Sequence, residues 1–529
     1  MDGRPTDDSR LAPILRTAEL RAVESRHAGS PLMARAGAAA AAVAQAMLAE
    51  SRGGPVVVLA GPGNNGGDGF VVARELRRAF HDVDVVFRGD PSTLPADARA
   101  AHAAFVAAGG STIREPRKVA PALVVDALFG IGLARPVAGD YAALVAWAHA
   151  CGAPVLALDV PTGLDADTGA LHEPAIRATA TATFIALKPG LLTGDGLDAA
   201  GIVSVHALGL DADLGNANGR RLDWPLLDAM RPKPLTRTRR NVHKGTYGTL
   251  AIVGGAPGMT GAPILAGRAA VRTGAGKVRL GFVAPTHPAV DWYAPELMLG
   301  EAACAIDGAD AIVAGPGMGT GDAAANVLRR AIEASVPLAL DADALNLVAL
   351  SESLRETVAA RKAPTLATPH PAEAARLLGQ STADVQRDRI GAAMALSRLL
   401  NAHVVLKGAG SVLAHPDGRY DVNASGNPAL ATAGSGDVLA GMLGAMLAQG
   451  LDPVSALRCA VCLHGAAADR LVSRGVGPIG VGASELADAA RELLNRTDSP
   501  ARAQGRPKGA ARPGGRPAQR ASGGSSPTE

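Results

Sequence analysis

The plainest chemistry in the sequence runs from Asn427 to Gly441, NPALATAGSGDVLAG. Gly434 and Gly436 let backbone N–H groups converge where a long apolar helix begins, and a helix start stabilises an anion. Asp437 stands beside that hole, placed to take a proton from a substrate hydroxyl as it attacks a phosphoryl group. Ser435 and Asp437 are also ordinary helix-start residues, and the double glycine is what favours chemistry over capping. Lys407 ends a strand-like run and leads into Gly408, Ala409, Gly410 and Ser411. Glycines at that place favour a phosphate contact over a lysine reaching into solvent. His370, between Pro369 and Pro371, reads as a ligand on a strand-end loop or as a packed loop histidine.

A different chemistry is written in the first half, in PVVVLAGPGNNGGDGFVVARELRR at residues 55–78. Gly61, Gly63 and Gly66 satisfy the G-x-G-x-x-G of dinucleotide-binding folds, after a strand-like run and before a helix over 70–78. Yet the loop at 64–69 carries Asn64, Asn65, Gly66, Gly67 and Asp68, and a carboxylate there repels phosphate. The next strand ends in Arg88, where a ribose-binding acid is expected. Two further strand-end loops begin at Asp126 and at Asp159, the latter reading Asp159-Val-Pro-Thr-Gly163. Carboxylates and amides gathered around a Gly-rich turn suit a cation as well as a hydroxylated ligand. Alone, Asp126 and Asp159 could cap turns, and the two asparagines could serve left-handed turn geometry. Lys188 reads equally as a solvated residue before Pro189. Three such loops on one sheet edge favour a site.

Open α/β sheets hold ligands in this way, at the carboxyl ends of their strands. Short apolar runs at 56–60, 83–87, 123–127, 155–159, 182–186 and 202–205 alternate with helical stretches, including 34–49 and 141–150. A second series follows at 249–254, 278–283, 311–314, 338–341, 365–367 and 404–407. The alternation predicts two three-layer αβα domains with parallel sheets. The first covers 11–215 and the second 241–495. Residues 216–240 lose the periodicity, turn basic and read as a linker. From 498 to 529 the composition is Pro, Gly, Arg, Ala and Ser, which predicts disorder.

The chain has 529 residues, 48% of them hydrophobic but only 3% aromatic, so Ala, Val and Leu must fill the cores. A formal charge of +3, partly carried by the tail arginines, gives no electrostatic case for nucleic acid. Four cysteines argue against a disulfide scaffold. Cys459 and Cys462 form a C-x-x-C inside an apolar helical run, which reads as structural. No apolar run reaches membrane-spanning length and the N-terminus resembles no signal peptide, so a cytoplasmic protein without membrane contact is expected. A homo-oligomer is also expected.

The first-domain loops together resemble the NAD(P)H-hydrate epimerases. The motifs are N-N-G-G-D-G at 64–69, D-x-x-F-G-x-G at 126–132, D-x-P-T-G at 159–163 and Lys188-Pro-Gly190. Thr17-Ala-Glu-Leu-Arg-Ala and Met33-Ala-Arg-Ala-Gly37 fit as well, and Thr162 stands where serine is commoner. The second domain resembles the ribokinase-like superfamily and, within it, the ADP-dependent NAD(P)H-hydrate dehydratases. It shares with them His243-Lys-Gly-Thr-Tyr-Gly248, GGAPGMTGA at 254–262, Arg272-Thr-Gly-Ala-Gly276, Gly315-Pro-Gly-Met-Gly319, Asp341-Ala-Asp343, Thr368-Pro-His-Pro371 and the 407–411 loop. Val242 replaces a commoner serine.

The first resemblance implies that residues 64–68 and Gly130, Ile131, Gly132, Leu133, Ala134, Arg135 and Pro136 hold a hydrated nicotinamide dinucleotide. Asn65, Asp126 and Thr162 would hold potassium, and Asp159 would serve as acid–base at C6 of the damaged ring. The second implies that Lys407, Gly408, Ala409, Gly410, Ser411 and Gly436 hold ADP with magnesium. Ala262, Gly317 or Gly319, His370 and Asp437 would then face the hydrate. The expected activity is conversion of R-NADHX or R-NADPHX to the S form, then ADP-driven dehydration of S to NAD(P)H. The rival reading is a small-alcohol kinase of ribokinase type joined to a non-catalytic dinucleotide-binding module.

Overall fold

The computed structural model describes residues 8–51, 53–133, 135–214 and 217–496. The expectations for Ala134 and for the 498–529 tail lie outside those residues.

Strand β1 (Ala12–Ile14) opens the chain and belongs to the second sheet. β2 (Val56–Ala60), β3 (Val83–Phe87), β4 (Thr112–Ile113), β5 (Leu123–Ala127), β6 (Val155–Leu158), β7 (Ala180–Phe184) and β8 (Ile202–His206) form the first. Its order is β4-β3-β2-β5-β6-β7-β8, with every pair parallel. The run Val56–Ala60 is buried at every position, as a sheet covered on both faces requires. Val56 and Val58 pack into one cluster with the helices Leu32–Leu48 and Asn64–Arg78. Val57 and Leu59 pack into another, against the helix Gly139–Ala150.

The second sheet contains β9 (Gly219–Leu222), β10 (Thr249–Gly254), β11 (Lys277–Phe282), β12 (Met298–Glu301), β13 (Ala311–Ala314), β14 (Leu338–Leu340), β15 (Thr365–Ala367), β16 (His403–Leu406), β17 (Val412–Ala414) and β18 (Tyr420–Asn423). The order is β1-β9-β18-β17-β16-β15-β14-β13-β10-β11-β12. From β16 to β12 the pairs are parallel, and antiparallel pairs join β16 to β17, β17 to β18 and β1 to β9. Leu250 and Ile252 face a cluster that includes the helix Ser435–Ala448, while Ala251 and Val253 face the opposite one. Both units are therefore αβα layers.

Strand order reverses between β2 and β5 in one sheet and between β10 and β13 in the other. Such reversals open crevices beyond the carboxyl ends of the strands. Every loop singled out for chemistry leaves one of those ends.

The stretch read as a linker is built into the second sheet. β9 pairs with β18 and with β1, and Leu222, Trp224, Leu227 and Leu235 enter its core. Gly-Arg-Arg-Leu shows no alternation to read, because its burial comes from partners distant in sequence. The buried Arg220 turns its guanidinium onto the carbonyls of Ala217 and Gly219. Cys459 and Cys462 are buried in the helix Pro453–Ser473, and burial pushes the Cys459 thiol up to about 12. Their structural reading fits that setting. Among the described residues no helix is long and apolar enough to cross a membrane.

Candidate functional site

The residues at 64–69, read as a loop, are the first turns of the helix Asn64–Arg78. Glycines disfavour helix interiors, but here packing decides. A Cβ on Gly66 would lie 2.0 Å from the Gly61 carbonyl oxygen, and one on Gly69 would lie 2.6 Å from the Ala127 Cβ. Gly67 is pressed likewise on Met33 and Ala98. The glycines thus seat the helix on the sheet, leaving Asn65 and Asp68, three residues apart, to face outward together.

They face a cleft of about 890 Å³, lined also by Asn64, Gly130, Ile131, Gly132, Leu133 and Asp159. Gly66, Gly67, Arg135 and Pro136 are not part of its lining. Gly130 sits between the two polar groups: a Cβ there would lie 3.5 Å from both Asn65 Oδ1 and Asp159 Oδ2.

Asp159 follows β6 at φ +66, a conformation that costs a non-glycine residue energy and collects at functional sites. Lys188, fully buried, donates to its Oδ1 and also to Thr183 Oγ1 at 2.9 Å and the Phe184 carbonyl at 2.7 Å. The structure therefore makes Lys188 a partner of Asp159 and no solvated residue. Burial, and then the nearby Asp159 and Glu24, push the Asp68 carboxyl well above the usual carboxylate range.

Beneath the cleft, Asp126 is wholly buried and accepts from Thr162 N at 2.8 Å, Thr162 Oγ1 at 2.7 Å and Leu128 N at 3.2 Å. No cation compensates it among the described residues, and burial pushes it up to about 6. Asn65 is 8% exposed, and its amide oxygen and nitrogen have no hydrogen-bond partner among the described residues. The chemistry of these groups, an unpartnered amide oxygen, an uncompensated carboxylate and a hydroxyl, suits a potassium ion.

In the second domain β10, β13, β14, β15 and β16 bring their carboxyl ends together. Asp341, after β14, accepts from Lys407 Nζ at 2.8 Å and from Thr368 Oγ1 at 2.6 Å. Gly434 caps the first turn of the helix Ser435–Ala448 at φ +85, which only glycine adopts freely. A Cβ on Gly436 would lie 3.4 Å from Lys407 Nζ. Asp437 stands in that first turn without a hydrogen bond or ion pair among the described residues, and burial, with Asp341 beside it, pushes its carboxyl up to about 6.

Across the site His370 caps the helix Pro371–Leu378, its Nδ1 accepting from Ala372 N at 3.1 Å. Glu373 is 4% exposed, accepts from His370 N at 2.8 Å, faces His370 Nε2 at 3.2 Å and is pushed up to about 6 by burial. Sequence reading passed over Glu373, although His370 and Glu373 have the spacing of a capping box. Ala262 opens the helix Gly261–Arg272 against Gly317, where a Cβ would lie 3.2 Å from the Ala262 Cβ. Gly319 N donates to Asp343 Oδ2 at 2.8 Å. Lys407, Gly436, Asp437 and His370 are brought together, and the carbonyls of Ala409 and Gly410 turn toward the first domain.

Two family models match. Residues 29–190 fit the YjeF-related protein N-terminus and residues 250–491 fit NAD(P)H-hydrate dehydratase. The bifunctional NAD(P)H-hydrate repair enzyme Nnr of Escherichia coli strain K12 is 39% identical over 476 residues, covering 88% of this chain and 89% of its own length. The Coxiella burnetii enzyme of the same name is 38% identical over 493 residues, covering 91% and 98%. A solved ADP/ATP-dependent NAD(P)H-hydrate dehydratase from Bacillus subtilis, co-crystallised with ATP and magnesium, is 32% identical with a TM-score of 0.42. It covers 49% of this chain and 94% of its own. Identity of that extent across both domains settles the family. The chain belongs to the bifunctional NAD(P)H-hydrate repair enzymes.

Proposed function

We propose that the β2/β5 crevice epimerises R-NAD(P)HX and that the β10/β13 crevice dehydrates the S form with ADP as phosphoryl donor. One observation carries the second half: Asp437 is a carboxyl without a hydrogen bond or ion pair among the described residues, in the first turn of a helix and 3 residues from the capping Gly434. A substrate hydroxyl placed there loses its proton to Asp437 while its oxygen attacks the β-phosphorus and AMP leaves. The N1 electron pair then expels phosphate from C6, a proton leaves C5, and the dihydropyridine ring is restored. Phosphorylation converts hydroxide, a poor leaving group, into a good one.

Lys407 and the 407–411 loop would bind the nucleotide phosphates. Among the described residues no three His, Cys, Asp or Glu side chains form a metal-holding group, so we assign magnesium to the nucleotide rather than to a protein cage.

In the first crevice Asp159, held by Lys188, gives a proton to the C6 hydroxyl as the N1 electron pair expels it as water and takes a proton from the water that adds back to the opposite face, and Asn65 and Asp68 hold the hydrated ring and its substituents. Asn65, Asp126 and Thr162 would hold potassium, which supplies fixed positive charge beside the substrate. The rival small-alcohol kinase would leave the phosphate on its product. The test is stoichiometry with S-NADHX and ADP: the proposal expects equal amounts of NADH, AMP and free phosphate. A stable phosphorylated product would refute it.

A further inference from the structure

The loop joining β16 to β17 has its carbonyls held from outside its own domain. Thr193, fully buried in the first domain, donates its single hydroxyl proton to the carbonyl of Gly410 at 3.0 Å or of Ala409 at 3.2 Å. The same oxygen accepts from Arg389 Nε at 2.9 Å. Arg389, 2% exposed, carries the arrangement onward: Nη2 donates to the carbonyls of Leu406 at 3.2 Å and Lys407 at 3.3 Å. Its remaining fork reaches Gln386 Oε1 at 2.6 Å. A buried guanidinium with only neutral acceptors is costly to keep, and its geometry fixes whatever accepts from it.

With the carbonyls of residues 406, 407, 409 and 410 drawn to one side, the N–H groups of Gly408, Ala409 and Gly410 have no protein acceptor among the described residues. Successive free N–H groups of this kind form a concavity suited to an anion. Backbone contact between the domains is equally tight. A Cβ on Gly410 would lie 1.9 Å from the Leu192 carbonyl oxygen, and Leu187, Leu191 and Leu192 share one apolar cluster with Leu406 and Val412.

We propose that Thr193, with Arg389, is a positioning residue for the nucleotide loop, so that the first domain completes the phosphate site of the second. This rests on the reading of residues 407–411 as the nucleotide loop. Thr193 touches no nucleotide; it holds the carbonyls so that the opposite N–H groups stay aimed at the phosphates.

The test compares Thr193→Val, Thr193→Ser, Arg389→Lys and Lys407→Ala in the full chain, with KM for ADP and kcat measured separately on S-NADHX and R-to-S conversion measured in parallel. Losing one buried hydrogen bond predicts that Thr193→Val raises the KM for ADP about five- to tenfold, with kcat and epimerisation within about twofold. Thr193→Ser, which keeps the hydroxyl, restores the KM. Arg389→Lys raises the same KM and covers the case in which the valine variant does not fold. Unchanged KM in both variants overturns the proposal, and so does equal impairment by Val and Ser, which would mean a steric role. If Lys407→Ala alone raises the KM, the nucleotide loop stands and the role of Thr193 falls. If Lys407→Ala also changes nothing, the loop assignment itself falls.

Discussion

The two crevices are built alike and wired differently. Each opens where strand order reverses, and each places an aspartate near a helix start and a buried or half-buried lysine. In the first, Lys188 pairs directly with Asp159, the residue proposed to move the proton. In the second, Lys407 pairs with Asp341, and among the described residues Asp437 is left without an ion pair, its carboxyl pushed up to about 6 by burial. The difference follows the chemistry. Epimerisation must protonate a departing hydroxyl and deprotonate the returning water at one centre, so an aspartate whose charge is balanced by a lysine suits it. Phosphoryl transfer needs a base once, and pairing the lysine with a different aspartate leaves that base without a counter-charge of its own.

The largest effects should separate the two halves. Asp437→Ala is expected to lower dehydration of S-NADHX by at least about a hundredfold, the lower range for a lost general base, with R-to-S conversion unchanged. Asp159→Ala should do the converse, leaving dehydration of the S form intact while R-NADHX converts only at its spontaneous rate. Chiral chromatography of the epimers reads one and NADH absorbance the other. Loss of both activities in either folded variant breaks the comparison.

The pH profile comes next. Burial raises the Asp437 carboxyl, so below about pH 6 it holds a proton and cannot accept another. Dehydration at saturating nucleotide should therefore fall about tenfold per pH unit below about 6 and level off above it. Glu373, also pushed up to about 6, titrates in the same window, and Glu373→Gln separates the two. If the limb survives that change, it belongs to Asp437; its loss would move the base role to Glu373.

A smaller effect is expected at Asn65. Exchanging potassium for tetramethylammonium should slow epimerisation by the unmodified chain, and Asn65→Leu should be slow in both and insensitive to the exchange. Dehydration measured on the S form should not respond to Asn65→Leu. An epimerase rate still enhanced by potassium in that variant would remove Asn65 from the ion site.

Most strands of both sheets were legible because a strand buried on both faces reads as an uninterrupted apolar run, as in Val56–Ala60 and Ala311–Ala314. β1, β4, β9, β12, β17 and β18 were not; Ala-Pro-Ile, Gly-Arg-Arg-Leu and Tyr-Asp-Val-Asn, for instance, gain their order from one another across hundreds of residues. The helix start at Asn64 was hidden by three glycines that propensity counts against and packing requires. Asp159 and Asp437 were readable as carboxylates at a strand end and a helix start on glycine-containing loops. Thr193 and Arg389 were not, because what marks each is a contact with a distant loop, whereas Glu373 was passed over although its bond to His370 N, three residues away, has a capping-box spacing.

The most direct test of two independent centres on one chain is complementation on pure R-NADHX with ADP. Asp437→Ala alone should yield no NADH, and Asp159→Ala alone should yield it only as fast as R converts spontaneously. Equal amounts of the two variants together should restore NADH formation to within a fewfold of the unmodified chain, because S-NADHX made at one crevice reaches an intact dehydratase on another molecule. A mixture no faster than Asp159→Ala alone would contradict the account.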